Sequence, residues 1–291
     1  LGVRAQVALR VNPNISVDTH PYIATGLNEH KFGIPIDQAP ALYRKGAALA
    51  ALTMSGIACH IGSQILDLDA FASAATALVD LADALEREAG LRIDHLDLGG
   101  GLGLDGGPDA PSPGIAAYVG TLLAITGRSR PREVLIEPGR SIVADAGVLL
   151  TRVHYLKHNG ERHFALTDAG MNDFLRPALY GVEVPVHLVN AADSDRTLAP
   201  YDIVGPVCES ADFIARHRPL ALAPGDLLAV AQAGAYGASM SSHYNARPRA
   251  AEVLIDGEDI HLVRERESIE ALTRGEHLVD PTARAPHTAR G

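Results

Sequence analysis

The first half of the chain alternates short apolar runs with helical stretches, and each apolar run stops at a glycine-rich or polar cluster. The run 7–11 closes at Asn12-Pro13, and 56–61 runs into Gly62-Ser63. The run 95–98 is halted by Gly99-Gly100-Gly101, and 134–136 by Pro138-Gly139. Between them, residues 39–49, 69–89 and 115–125 carry helical spacing, the second ending at Gly90, a good C-cap. Strands that are apolar throughout and separated by helices predict a parallel sheet covered by helices. Chemistry gathered at successive strand C-termini is the layout of a (β/α)₈ barrel. Four such units are visible, so the sequence predicts the C-terminal half of a TIM-type barrel; an open doubly wound sheet is the alternative.

The second half changes character. Residues 147–156, 163–167, 182–189, 201–204, 227–232 and 250–255 read as strands, separated by Asn-Gly, Pro-Gly and Asp-Gly turns with little helix. The predicted fold class is α/β plus β: a partial barrel over 1–145, then a β-barrel or β-sandwich domain over 146–280. The polar end, 281–291, is expected to be a disordered tail. The chain opens on Leu1 and enters a strand almost at once, so the expectation is that the first barrel strands lie upstream.

Composition narrows the function. A formal net charge of −10 argues against a nucleic-acid partner. No basic run exists to grip an anionic membrane, and apolar stretches are broken well short of the roughly eighteen residues a span needs. Cys59 and Cys208 are far apart and make neither a disulfide framework nor a zinc-site spacing. No metal site is expected, and a reducing, cytoplasmic location is the default.

Several clusters carry chemistry. Gly99, Gly100 and Gly101 after a strand let backbone N–H groups approach a phosphate, or simply make a tight turn. Glu137-Pro138-Gly139-Arg140 offers a carboxylate for a protonated ring nitrogen and a guanidinium for an anion; the plainer reading is a surface ion pair. His60 is placed to stack on a planar cofactor and Ser63 to reach a phosphate, although a lone His is more often structural. Cys208-Glu209 pairs a thiol proton donor with a carboxylate for an amine; a buried inert Cys is the commoner case. Arg176 to Tyr180 and Tyr236 between its glycines are the remaining polar-aromatic clusters.

Taken in order, these segments resemble the diaminopimelate decarboxylase family of fold-type III pyridoxal-phosphate enzymes, which are alanine racemase- and ornithine decarboxylase-like. The matching runs are LRVNP with TGLNEHKFG, HIGSQ, LDLGGGLG, IEPGRS, DAGMNDFLRPALYG, GPVCESAD and AGAYGASMSSHYNARPRAAEVL. The resemblance implies decarboxylation of meso-2,6-diaminopimelate to L-lysine with pyridoxal 5'-phosphate, the last step of lysine biosynthesis. It implies that His60 stacks on the cofactor ring and that Glu137 pairs with its nitrogen. Ser63, Gly99, Gly100, Gly101, Gly139, Arg140 and Tyr236 would surround the phosphate. Arg140, Arg176, Tyr180 and Tyr236 would hold the substrate with Glu209, and Cys208 would donate the proton. It further implies a homodimer in which Cys208 and Glu209 serve the partner's site. The family's cofactor-anchoring lysine matches none of Lys31, Lys45 and Lys157, so the chain by itself is expected to be inactive. A non-catalytic relative of the same fold, and a decarboxylase or racemase of a related diamino acid, are the alternatives.

Overall fold

A computed structural model describes residues 2–15, 31–105, 111–190 and 196–279. The expected tail at 281–291, and Thr25 to His30 of the TGLNEHKFG run, lie outside the described residues.

The first layer is built from β1 (Ala5–Asn12), β2 (Ile34–Pro35), α1 (Ala39–Ala47), β3 (Leu52–Ala58), α2 (Leu68–Ala89), β4 (His95–Asp97), α3 (Gly114–Thr126) and β5 (Glu133–Leu135). The strands form a five-stranded sheet in the order β2-β1-β3-β4-β5, with every pairing parallel. The two-residue β2 is an addition to the four predicted units. It is too short for hydrophobic periodicity to reveal.

Apart from β2, strand order follows chain order. Consecutive helices touch, α1 against α2 and α2 against α3, so they line one face of the sheet. A doubly wound sheet puts helices on both faces and reverses strand order at a switch point. The arrangement here is that of a barrel wall. Helix α2 illustrates the local logic: Asp67 accepts from the Asp69 amide at its start, and Gly90 closes it in the left-handed region at φ 64°. Its apolar stripe, with Phe71, Leu78 and Leu85, shares one buried core with Ile57, Ile93 and Leu96. Leu135 and Ile136, at the β5 edge, are exposed.

A short helix, α4 (Arg140–Val143), leads into the second layer. That layer contains β6 (Leu149–Asn159), β7 (Arg162–Thr167), α5 (Arg176–Tyr180), β8 (Val186–Leu188), β9 (Ala199–Val204), β10 (Phe213–Leu220) and β11 (Leu227–Val230). The six strands run in the order β10-β9-β7-β6-β11-β8, and β10 approaches β8, so the sheet is nearly closed around Val153, Phe174, Ile203, Ile214 and Leu228. A separate hairpin follows, β12 (Glu252–Asp256) and β13 (Asp259–Arg264), then the single turn α6 (Ile269–Leu272). Strands β10 and β13 are additions to the predicted set. Strand β10 carries Pro219, two arginines and a histidine, a composition tolerated because it sits at the sheet edge.

Candidate active site

The barrel-side cluster is assembled by close contacts between loops at strand C-termini. A Cβ on Gly99 would lie 2.4 Å from the Cys59 carbonyl oxygen, one on Gly100 2.1 Å from that of Glu137, and one on Gly101 2.1 Å from that of Gly62. Any side chain at these positions would push the three loops apart. Glycine is required here by the crossing of backbones, whatever else the triplet does. Two of its amides are already engaged: Gly99 N–H donates to Asp97 Oδ1 (2.9 Å), and Gly100 N–H donates to His60 Nδ1 (3.1 Å).

The latter bond fixes the His60 ring. With Nδ1 accepting, the proton of the neutral imidazole sits on Nε2. Burial, then the positive charge of Arg10, pushes the His60 pKa below its ordinary value. A neutral, flat, oriented ring at the sheet's C-terminal edge is suited to stacking on a planar ligand. Glu137 is exposed, and its backbone N–H donates to Gly99 O at 2.8 Å, which ties it to the same loop set.

Arg140, three residues on, is the centre of the second cluster. Its Nη2 donates to Ser63 Oγ at 3.1 Å, and its guanidinium lies 5.0 Å from the Tyr236 ring centroid. Its Nε and Nη1 are buried, and among the described residues neither has a hydrogen-bond partner. Burial lowers the Arg140 pKa, opposed by Tyr236 and Tyr180.

Arg176 is only 4% exposed and donates to the Gln232 carbonyl oxygen at 3.2 Å. Its pKa is pushed down to about 10, first by burial and then by the positive charge of Arg140. A partly desolvated guanidinium with donors to spare, Arg140, beside a second buried one, Arg176, makes an anion site. The buried donors of Arg140 fit a phosphate or carboxylate, so the residues present suit a phosphate-bearing cofactor and an acidic substrate.

Glycine also brings Tyr236 into place. A Cβ on Gly234 would lie 1.9 Å from Val143 O, and Gly234 N–H donates to Ala144 O at 3.1 Å. The chain carrying Tyr236 therefore abuts the helix that starts at Arg140. Tyr236 itself is held at φ 59°, a region that L side chains rarely occupy. A cavity of about 620 Å³ opens beside it, lined by Phe174, Arg249 and Leu254, but Arg140 and His60 do not line it.

Cys208 and Glu209 form a third group on the β domain. Cys208 is exposed, and Glu209 Oε1 accepts from the Tyr244 hydroxyl at 2.6 Å. Among the described residues, no hydrogen bond or ion pair joins either of them to Arg140, Arg176 or Tyr236. Cys59, by contrast, is buried, and desolvation pushes its thiol pKa up to about 12. The structure thus brings together His60, Gly99, Gly100, Gly101 and Glu137, and next to them Ser63, Gly139, Arg140, Arg176, Tyr180 and Tyr236. Cys208 and Glu209 share no hydrogen bond or ion pair with these residues among the described residues. Sequence reasoning did not single out Tyr244, which touches Glu209, or Asp212, which braces the turn. Both lie in segments whose other residues drew attention.

The chain is similar to known proteins in sequence and in fold. Residues 2–144 match the family model described as pyridoxal-dependent decarboxylase, pyridoxal binding domain. The chain is 53% identical to diaminopimelate decarboxylase of Pseudomonas aeruginosa, over 96% of this chain and 66% of that protein. It is 46% identical to the Haemophilus influenzae enzyme of that name, over 94% and 65%. The crystal structure of Helicobacter pylori diaminopimelate decarboxylase complexed with L-lysine superposes with a TM-score of 0.87 at 38% identity, covering 94% of this chain and 67% of that one. The chain therefore spans just under two thirds of the length of these curated relatives. The same sheet-and-β-domain architecture extends to an arginine decarboxylase at 20% identity and a TM-score of 0.70. By sequence and by fold, the chain belongs to the diaminopimelate decarboxylase family of pyridoxal-dependent decarboxylases.

Proposed function

We propose that the protein takes part in the pyridoxal 5'-phosphate-dependent decarboxylation of meso-2,6-diaminopimelate to L-lysine and CO₂. The observation that carries this reading is Arg176, a second buried cation close enough to Arg140 to feel its charge, beside the two buried Arg140 donors left for the phosphate. A substrate with a second carboxylate needs such a cation at its far end. Ornithine and lysine have no distal carboxylate and leave it idle. A relative complexed with L-lysine supports a diamino acid as the reaction's product.

When bound, the cofactor supplies an electron sink for the bond pair released as CO₂ departs. His60, with its proton on Nε2, would hold the ring, and Glu137 would keep the ring nitrogen protonated. Ser63, Arg140 and Tyr236 would hold the phosphate. Arg176 and Tyr180 anchor the distal carboxylate, and Glu209 accepts from the distal ammonium. The Cys208 thiol gives its proton to the substrate carbon and regains one from solvent, to which it is open. The resemblance of the GPVCESAD run to the family supports assigning the Cys208–Glu209 turn to the site of a second copy in a homodimer. No described helix is long and apolar enough to cross a membrane.

Calorimetry tests the specificity. Pyridoxal phosphate premixed with meso-diaminopimelate is expected to bind at least about tenfold tighter than pyridoxal phosphate premixed with L-ornithine, the worth of one charged hydrogen-bonded contact. Equal affinities would overturn the assignment of Arg176.

A further inference from the structure

We propose that Asp212 is a positioning residue that locks the Cys208–Glu209 turn to the segment leading into Arg176, an inference that rests on the roles given to those residues above. Asp212 is 3% exposed. Its Oδ1 accepts from Met171 N–H at 2.6 Å, and its Oδ2 accepts from Val207 N–H at 2.7 Å. Its backbone closes the turn on itself, since Asp212 N–H donates to Glu209 O (3.1 Å) and Gly205 N–H donates to Asp212 O (3.2 Å).

The two donors belong to different segments. Val207 immediately precedes Cys208 and Glu209. Met171 sits in the loop where Asp173 and Phe174 N–H donate to Gly170 O, and that loop delivers Arg176 at the start of α5. Bridging two outward-facing amides takes a side chain with two acceptor oxygens and no hydrogen, which is a carboxylate. Space for it is reserved by two glycines. A Cβ on Gly205 would lie 2.5 Å from Asp212 Oδ2, and one on Gly170 3.0 Å from both oxygens. Burial raises the Asp212 pKa, while the two amides and the more distant Arg247 hold it down. One carboxylate therefore ties the turn that serves the second copy's site to the loop that delivers Arg176 to this chain's own.

The test uses Asp212→Asn and Asp212→Ala in the whole chain, with Asp202→Asn as a control that disturbs another buried carboxylate of the β domain. Amide exchange is read at Met171 and Val207, and iodoacetamide alkylation is read at Cys208, which is exposed whereas Cys59 is buried. The Asn variant keeps one acceptor and is expected to speed exchange at one amide by about tenfold; Ala speeds both. Alkylation of Cys208 is expected to rise about threefold in the Ala variant as the turn loosens, and to stay unchanged in Asp202→Asn. Unaltered exchange at both amides, or equal alkylation changes in the control, would overturn the proposal. If the Asp212 variants do not fold, the wild-type protein still decides it: fast exchange at either Met171 or Val207 contradicts the clamp, and protection at both supports it. None of these readouts needs turnover, so their failure leaves the decarboxylase reading standing, and loss of ligand preference in calorimetry leaves the clamp standing.

Discussion

Replacing Arg140 by Met should leave the ligand-free protein at least as stable and unable to bind its phosphate-bearing ligand. Two buried N–H donors without acceptors cost ~1–3 kcal/mol each. Met retains the packing of the stem but forfeits the bond to Ser63, worth ~1 kcal/mol, and the contact with the Tyr236 ring, worth ~0.5–1 kcal/mol. Because Arg140 is only partly buried, the low end of the difference applies, a net gain of about 0–0.5 kcal/mol. For a chain of this size that is a rise in Tm of no more than roughly 2 °C. The wild-type protein at a hundredfold excess of pyridoxal phosphate over Kd should gain about 2.7 kcal/mol, and Arg140→Met should gain none. Thermal unfolding of both proteins, with and without pyridoxal phosphate, measures all four states. Destabilisation of the ligand-free variant, or an unchanged ligand-induced shift, would refute the reasoning that these donors await an anion.

Three other outcomes are expected. Arg130 holds the Glu86 carboxyl down to about 2, so its stabilising contribution is present above the unfolded pKa near 4.5 and is lost as pH falls through about 2. The full shift equals ~3 kcal/mol, which partial exposure reduces to about 1–2 kcal/mol, so urea unfolding of Glu86→Gln should differ from wild type by that amount near neutrality and converge with it near pH ~2. Borohydride reduction after incubation with pyridoxal phosphate should leave no stoichiometric adduct on Lys31, Lys45 or Lys157; mass spectrometry of one such adduct, accompanied by CO₂ release, would contradict this. Gly100→Ala places a methyl 2.1 Å from the Glu137 carbonyl oxygen, so it should cost ~1–3 kcal/mol in thermal unfolding and weaken pyridoxal phosphate binding in a fluorescence titration.

Much of the barrel side was legible because each element announces itself locally. The apolar stripe of α2 and its Gly90 cap are contiguous signals, and so is each strand ended by glycine or proline. Strand β10 was not legible, because its partner β9 supplies what its own composition lacks, and an edge position excuses Pro219. Strand β13 was missed for the opposite reason: all its side chains are exposed, so no burial pattern marks it, although Gly257 at φ 61° turns the hairpin. At the site, the motif order located the residues, while their physical reasons emerged only in three dimensions. The glycine triplet illustrates this. From sequence it was equally a phosphate cradle or a turn, and in the structure three carbonyl oxygens occupy the space a side chain would need. Asp212 illustrates it again, because its two amide partners lie 41 and 5 residues away.

The most direct test is a crystal structure of the chain grown with pyridoxal phosphate. The account predicts the phosphate within hydrogen-bond distance of Arg140 Nε or Nη1 and the ring against the His60 imidazole. Pyridoxal phosphate bound elsewhere on the chain, with those two donors still unpartnered, would contradict it.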